Sequence, residues 1–218
     1  MRTETLTRKI YTFDELDDTA KERAREWCRQ DQSEYLHLDY DWFDFIYDYA
    51  QRVAEILGIE FDAKHIPLMD GTTRPEPKIW FSGFWTQGSG ASFEGSYRYA
   101  RGAAKRIRAY APNDKILHGI ADDLQSAQKN HLYQLEASCS HRGRYYNSGS
   151  MAVVGYHRED SCRDIGDAEI TIEEALRDFA DWIYKSLEAE YDWLLADEQI
   201  DDSIRANEWE FDVDGVPA

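Results

Sequence analysis

The chain has 218 residues, with 25 Lys/Arg against 43 Asp/Glu and a formal net charge of −18 at pH 7. A single domain of this size buries roughly 70% of its unfolded surface, and an aromatic share of 14% excludes an acidic disordered chain, which would be poor in aromatics. So large a negative charge repels nucleic acid and anionic membranes and favours basic surfaces.

Near the start, Thr12 and Glu15 have capping-box spacing, and Phe13, Leu16, Ala20, Ala24 and Trp27 follow at three- and four-residue intervals. That spacing predicts a helix over 13–30. Phe43, Ile46, Tyr49, Ala50, Val53, Ile56 and Leu57 repeat the pattern before Gly58, which predicts a helix over 40–57. IEFDAKHI then reads as a strand and PLMDGTTRPEP as a loop. KIWFSGFW and ASFEGSYRY read as the two strands of a β-hairpin, joined by TQGSG, whose glycines allow the positive φ that a tight turn needs.

Ala103, Ala104 and Ile107 predict a short helix ended by Pro112, and a second helix runs from Ile116 to Asn130. LYQLEASCS and SMAVVGYH form a second hairpin around HRGRYYNSG. From Thr171, the residues Ile172, Leu176, Phe179, Ile183, Leu187, Tyr191 and Leu194 hold helical spacing, with Glu174, Asp178, Asp181, Glu188 and Asp192 opposite. A helix over 197–206 follows. Residues 208–214 then alternate acid and apolar as a half-buried strand with Glu208, Glu210, Asp212 and Asp214 on its wet face. The fold class is α+β: an antiparallel sheet of hairpins packed by amphipathic N-terminal and long C-terminal helices. No internal repeat or flexible linker marks a boundary, so one domain over 1–218 is expected.

Charge is unevenly spread. Residues 1–62 carry 8 basic and 16 acidic residues, residues 63–158 carry 13 and 7, and residues 159–218 carry 4 and 20. The last block is therefore −16, and the basic middle is expected to absorb part of it. Duplex DNA carries about one charge per 1.7 Å. The helix over 173–192 spans about 29 Å, where a duplex has roughly 17 charges, yet its seven acids and two bases leave only −5. DNA mimicry thus requires the whole tail to lie on one face. The expected contact residues for a basic partner are Glu188, Glu190, Asp192, Asp197, Glu198, Asp201 and Asp202, together with Glu208, Glu210, Asp212 and Asp214.

The sequence assigns no catalytic residue, metal or cofactor. Cys139, His141, His157 and Cys162 lack the paired spacing of a structural zinc site and read as a polar hairpin with buried thiols. Cys28, beside Trp27, reads as core. No serine stands in a G-x-S-x-G context, and GSGASFEG lacks the lysine of a phosphate loop. One ligand site is conceivable around the glycine turn, where Trp85, Gln87, Glu94, Tyr97 and Arg98 would converge. Glu94, a lone acid among aromatics, would then have a raised pKa and act as a general acid; the alternative is an exposed Glu94 paired with Arg98. Arg98, Arg101, Lys105, Arg106 and Arg108 form a basic island expected to pair with the acidic helices rather than with phosphate.

The N-terminal stretch MRTETLTRKIYTF lacks the apolar run of a signal peptide, and no run of about 18 uncharged apolar residues occurs. Three scattered cysteines do not make a disulfide framework. A soluble, cytoplasmic protein with free thiols is expected.

YTFDEL and AKERAREW, IWFSGFWTQGSGASFEGSY, YYNSGSM, DFADWIYKSLEAEYDWL and ANEWEFDVDG are similar to stretches of a family of uncharacterised proteins. Bacteriophages and other bacterial mobile elements carry that family, which is often labelled as the antitoxin of a toxin–antitoxin stability system. The resemblance implies a bacterial host cell and a protein partner, and it assigns no functional residue. The expected function is an acidic factor that occupies a basic, nucleic-acid-binding surface of a host defence protein or toxin, with no direct nucleic-acid or membrane contact. A ligand-binding or enzymatic module at the aromatic hairpin and a structural homo-oligomer with an acidic exterior are the alternatives.

Overall fold

A computed structural model describes residues 8–38, 42–69 and 71–218. The N-terminal residues 1–7, the start of the predicted second helix at 40 and Asp70 of the predicted loop lie outside the described residues. In chain order the first half contains β1 (Tyr11–Thr12), α1 (Asp18–Leu38), α2 (Asp44–Leu57), β2 (Ile59–Phe61), β3 (Ala63–Pro67), β4 (Thr73–Pro77), β5 (Ile79–Phe81), β6 (Ala91–Phe93) and β7 (Gly95–Arg98). The second half contains α3 (Ala103–Tyr110), α4 (Lys115–Lys129), β8 (Leu135–His141), β9 (Met151–His157), α5 (Asp167–Leu194), α6 (Asp197–Ala206) and β10 (Glu210–Phe211). The fold class is α+β. The chain divides into two compact units, residues 1–43 with 189–218 and residues 44–188.

The first unit joins the two ends of the chain. Phe13, Leu16, Ala20, Ala24 and Cys28 share the buried face of the N-terminal segment, and Ile200, Ile204 and Phe211 complete their core. The Thr12–Glu15 box forms, with the Glu15 carboxylate accepting the Thr12 N–H at 2.8 Å and its hydroxyl at 3.0 Å. It closes only a 3-10 turn over Phe13–Glu15. Helix α1 starts later, capped by Asp17, whose Oδ1 accepts the Ala20 N–H at 2.8 Å.

The predicted strand over 208–214 shrinks to β10, which pairs with β1 as Thr12 opposite Glu210 and Tyr11 opposite Phe211. Glu208 sits at φ 53. The Asp212 carboxylate accepts the N–H groups of Asp214 and Val216 at 2.9 and 3.0 Å, which folds the chain into a turn. Gly215 closes that turn at φ +80, and a Cβ there would lie 2.1 Å from the Ala20 carbonyl oxygen of α1. Gly215→Ala is therefore expected to destabilise the first unit by about 2 kcal/mol or more, combining a left-handed backbone with a clash against a helix backbone. Loss of hydrogen-exchange protection in α1 and α6 checks this.

The second unit is built on the antiparallel sheet β2-β7-β8-β9. Alternation along β8 buries Leu135, Ala137 and Cys139 on one face, and the paired register carries Ser96, Ser138 and Val154 on the other. The buried side belongs to a core that includes Phe93, Tyr97, Ile107, Leu117 and the α5 residues Ile172, Leu176, Phe179 and Ile183.

Two predicted continuous segments break where the chain changes sheet, and a third change falls where the predicted loop meets the strand KIWFSGFW. IEFDAKHI divides at Asp62 into β2 and β3, ASFEGSYRY divides at Glu94 into β6 and β7, and β4 passes to β5 at Lys78. These three residues close a ring of backbone bonds: Asp62 N–H to Glu94 O at 2.9 Å, Glu94 N–H to Lys78 O at 3.0 Å, and Lys78 N–H to Asp62 O at 2.7 Å. The predicted loop over 67–77 is half strand, because β4 pairs with β3 in a two-stranded ribbon. Pro75 and Pro77 fit there because a strand with one partner has an unpaired side on which a missing N–H costs nothing.

Candidate functional site

In the first unit, α6 presents Ile200 and Ile204 to the core. One helical step away, Asp197 and Asp201 meet arginines of α1. Arg25 holds Asp201 through two bonds, Nε at 2.6 Å and Nη2 at 2.9 Å, and that bidentate contact holds the guanidinium firmly protonated. Arg29 pairs with Asp197 and, at 3.4 and 3.2 Å, with Glu22 and Glu26. Arg205 links α6 back to Asp14 at 3.0 Å and lies near Asp202 at 3.5 Å. Arg8 and Arg23 hold the C-terminal turn through Asp212 and Asp214, each at 3.4 Å.

Five of the expected contact carboxylates, Asp197, Asp201, Asp202, Asp212 and Asp214, therefore already hold arginines. Arg8, Arg23, Arg25 and Arg29 come from the acidic N-terminal block, not from the basic middle that was expected to absorb the charge. Part of the tail's −16 is thus offset locally by arginines within the first unit.

What remains is still strongly charged. Residues 1–43 and 189–218 contain 8 basic and 21 acidic residues, net −13, against −5 for residues 44–188. Asp192, Glu198, Glu208 and Glu210 are exposed and hold no Lys or Arg among the described residues. Glu190 is half-buried, and that burial lifts its carboxyl above the ordinary range. Glu188 lies beside Tyr184 in the second unit and raises the phenol's pKa, second to burial.

A second acidic group, absent from the expected contact set, sits on the second unit. Glu174, Asp178 and Asp181 on α5 face Asp123 of α4. Burial and then repulsion from Asp181, Asp123 and Glu174 push the Asp178 carboxyl above its usual range. The helical spacing already aligned Glu174, Asp178 and Asp181, but Asp123 joins them only through tertiary packing. A raised folded pKa makes the folded state bind the proton more tightly, so stability falls as pH rises from the ordinary aspartate pKa through the folded value. Asp178→Asn should stabilise the protein at neutral pH by under about 1 kcal/mol, the scale of exposed charge interactions. Thermal melts across pH should show that gain vanishing below the ordinary aspartate pKa.

The aromatic hairpin does not form the expected ligand site. Trp85 at φ 56 and Gln87 are exposed in the long β5–β6 connection, which is pinned by Ser82 Oγ donating to Gly88 O at 3.1 Å and Tyr146 O at 2.9 Å. Tyr97 points the opposite way into the core, where its hydroxyl accepts from Gln128 at 3.3 Å and burial raises its pKa to about 12. Arg98, the next residue, is on the outer face, 3.9 Å from Glu136.

Glu94 departs from both readings, because its carboxyl is held below rather than above the ordinary range and its partner is Lys78 rather than Arg98. Lys78 at 2.8 Å and the His141 N–H at 3.3 Å bond its carboxylate and hold its pKa below the ordinary value, with Lys78 the larger cause. Its role is to fasten the strand crossover. In the basic island, Arg108 pairs with Asp122 of α4 at 2.6 Å, and Arg106 donates to the Ile56 carbonyl at 3.0 Å.

The zinc-type quartet does not assemble. His141 stands opposite Met151 at one end of the β8–β9 ladder and His157 opposite Leu135 at the other. No metal-holding group of His, Cys, Asp and Glu occurs among the described residues. Cys28 and Cys139 are buried, which pushes their thiols up to about 11 and about 12, whereas Cys162 is exposed. Among the described residues, no helix is long and apolar enough to cross a membrane.

The family model of DUF8835, a domain of unknown function, matches residues 42–197. The chain belongs to the DUF8835 family. No curated protein and no solved structure matches it. The DUF8835 match covers the whole second unit, residues 44–188, and most of the acidic first unit falls outside it.

Proposed function

We propose that this DUF8835 protein is an acidic protein-binding factor of phage or mobile-element type. It occupies a basic, nucleic-acid-binding surface of a host defence protein or toxin in the bacterial cytoplasm. The observation that carries the reading is the concentration of charge in one compact unit: net −13 over residues 1–43 and 189–218, after every arginine there is counted. A compact single-sign surface steers a basic partner at long range and rejects nucleic acid. The internal arginine pairs support division of labour among the carboxylates. Asp197, Asp201, Asp212 and Asp214 hold the unit together, while Asp192, Glu198, Glu208 and Glu210 face solvent for the partner. Ordinary charge complementarity is the mode of recognition.

Purification of the tagged full-length chain from a bacterial host at low and high salt, with mass spectrometry of what co-elutes, tests the proposal. The expected result is a basic nucleic-acid-processing protein, retained at low salt and lost at high salt. Recovery of the same partner at both salt concentrations would count against it.

A further inference from the structure

Within the second unit, β2 stays in the main sheet while the chain beyond Asp62 leaves it for the β3–β4 ribbon, and a cleft of about 580 Å³ opens between them and the last turn of α2. That volume lies in the range of ligand-binding sites, roughly 300–1,000 Å³. Phe61, Pro75 and Pro77 supply apolar wall, and Gln51, Glu55 and Glu60 supply polar rim. Glu76 and Asp62 also line it but are engaged, Glu76 with Arg74 at 2.6 Å and Lys64 at 3.1 Å, Asp62 with Lys78 at 3.9 Å. Glu55 and Glu60 are exposed and hold no Lys or Arg among the described residues. The cleft therefore combines two uncompensated carboxylates with an aromatic ring and two proline rings.

We infer that this cleft is a docking site for an arginine side chain of a basic protein partner, whose guanidinium Glu55 and Glu60 receive while Phe61, Pro75 and Pro77 pack its stem. A planar guanidinium suits carboxylate oxygens better than a compact ammonium does, and its aliphatic stem packs well on apolar rings. The inference rests on the proposed basic partner and adds a specific side-chain contact outside the acidic first unit.

Backbone amide NMR of the isotope-labelled full-length chain tests it, with N-acetyl-arginine amide as probe and the neutral isostere N-acetyl-citrulline amide as control. Saturable shifts at Glu60, Phe61, Ala63 and Glu76 are expected with the arginine probe and not with citrulline. Glu55→Gln/Glu60→Gln should weaken that binding at least about threefold, the scale of two exposed charge contacts. Equal shifts from citrulline, no saturable shift at these amides, or shifts confined to α6 and the C-terminal turn would overturn the assignment. Tighter saturable binding of spermidine at the same amides would assign the cleft to free polyamines instead and overturn the protein-side-chain reading. A salt-sensitive partner recovered alongside a silent cleft would leave the proposed function standing and remove only this contact.

Discussion

Phe179→Ala is expected to lower the stability of the second unit by about 3–5 kcal/mol, the usual cost of emptying a buried phenylalanine site. Phe179 is fully buried on α5. Its ring stacks on Phe61 at 6.2 Å and on Trp182 at 5.6 Å and meets Phe93 edge-on at 5.9 Å. It therefore joins the long helix to two strands that belong to different sheets, so the cavity left by alanine has walls that cannot collapse independently. Trp182 is itself anchored, its indole N–H donating to Asp114 Oδ2 at 2.8 Å. Chemical denaturation should show the loss. A change below about 1 kcal/mol would mean that the aromatic cluster is not the keystone of this unit.

Arg25→Ala is expected to cost the first unit about 2–3 kcal/mol, between the surface-pair and buried-pair limits. Only 21% of the Arg25 side chain and 16% of Asp201 remain exposed, so the orphaned carboxylate would be poorly solvated. Arg25 also lies 5.6 Å from the Phe13 ring centroid, which makes part of the loss a packing term. Arg25→Met keeps much of that packing and still orphans Asp201. Arg25→Met/Asp201→Leu removes both charges and should therefore lose less stability than Arg25→Met alone. Hydrogen exchange of α6 amides distinguishes the variants. If the double variant is the less stable, the pair contributes net stability beyond relief of an orphaned charge.

The helices were legible in the sequence because their apolar spacing is local. The expected helix over 197–206 matches α6 residue for residue, and the long C-terminal helix extends only four residues earlier than Thr171. The second hairpin was legible for the same reason, since β8 and β9 are neighbours in sequence and in the sheet. The central strands were not, because Asp62 redirects the chain with no glycine or proline beside it, while Pro77 beside Lys78 and Gly95 beside Glu94 were absorbed into a predicted loop and a predicted strand. A charged residue interrupting an aromatic run was the available signal, and at Glu94 it was read as chemistry rather than as a crossover.

The candidate surface was half legible. Composition located the negative charge, but the arginines that pair with Asp197, Asp201, Asp212 and Asp214 lie more than 160 residues away in sequence. The meeting of the two ends is tertiary, and with it comes the separation of structural from outward-facing carboxylates.

The most direct test of the central claim is the dissociation constant of the co-purified partner across a salt series, for the natural chain and for Asp192→Asn/Glu198→Gln/Glu208→Gln/Glu210→Gln. The natural chain should bind more weakly as salt rises, and the variant should bind more weakly at low salt with a shallower salt dependence. Equal affinity of the two chains with a flat salt response would contradict the claim that the acidic unit is the binding surface.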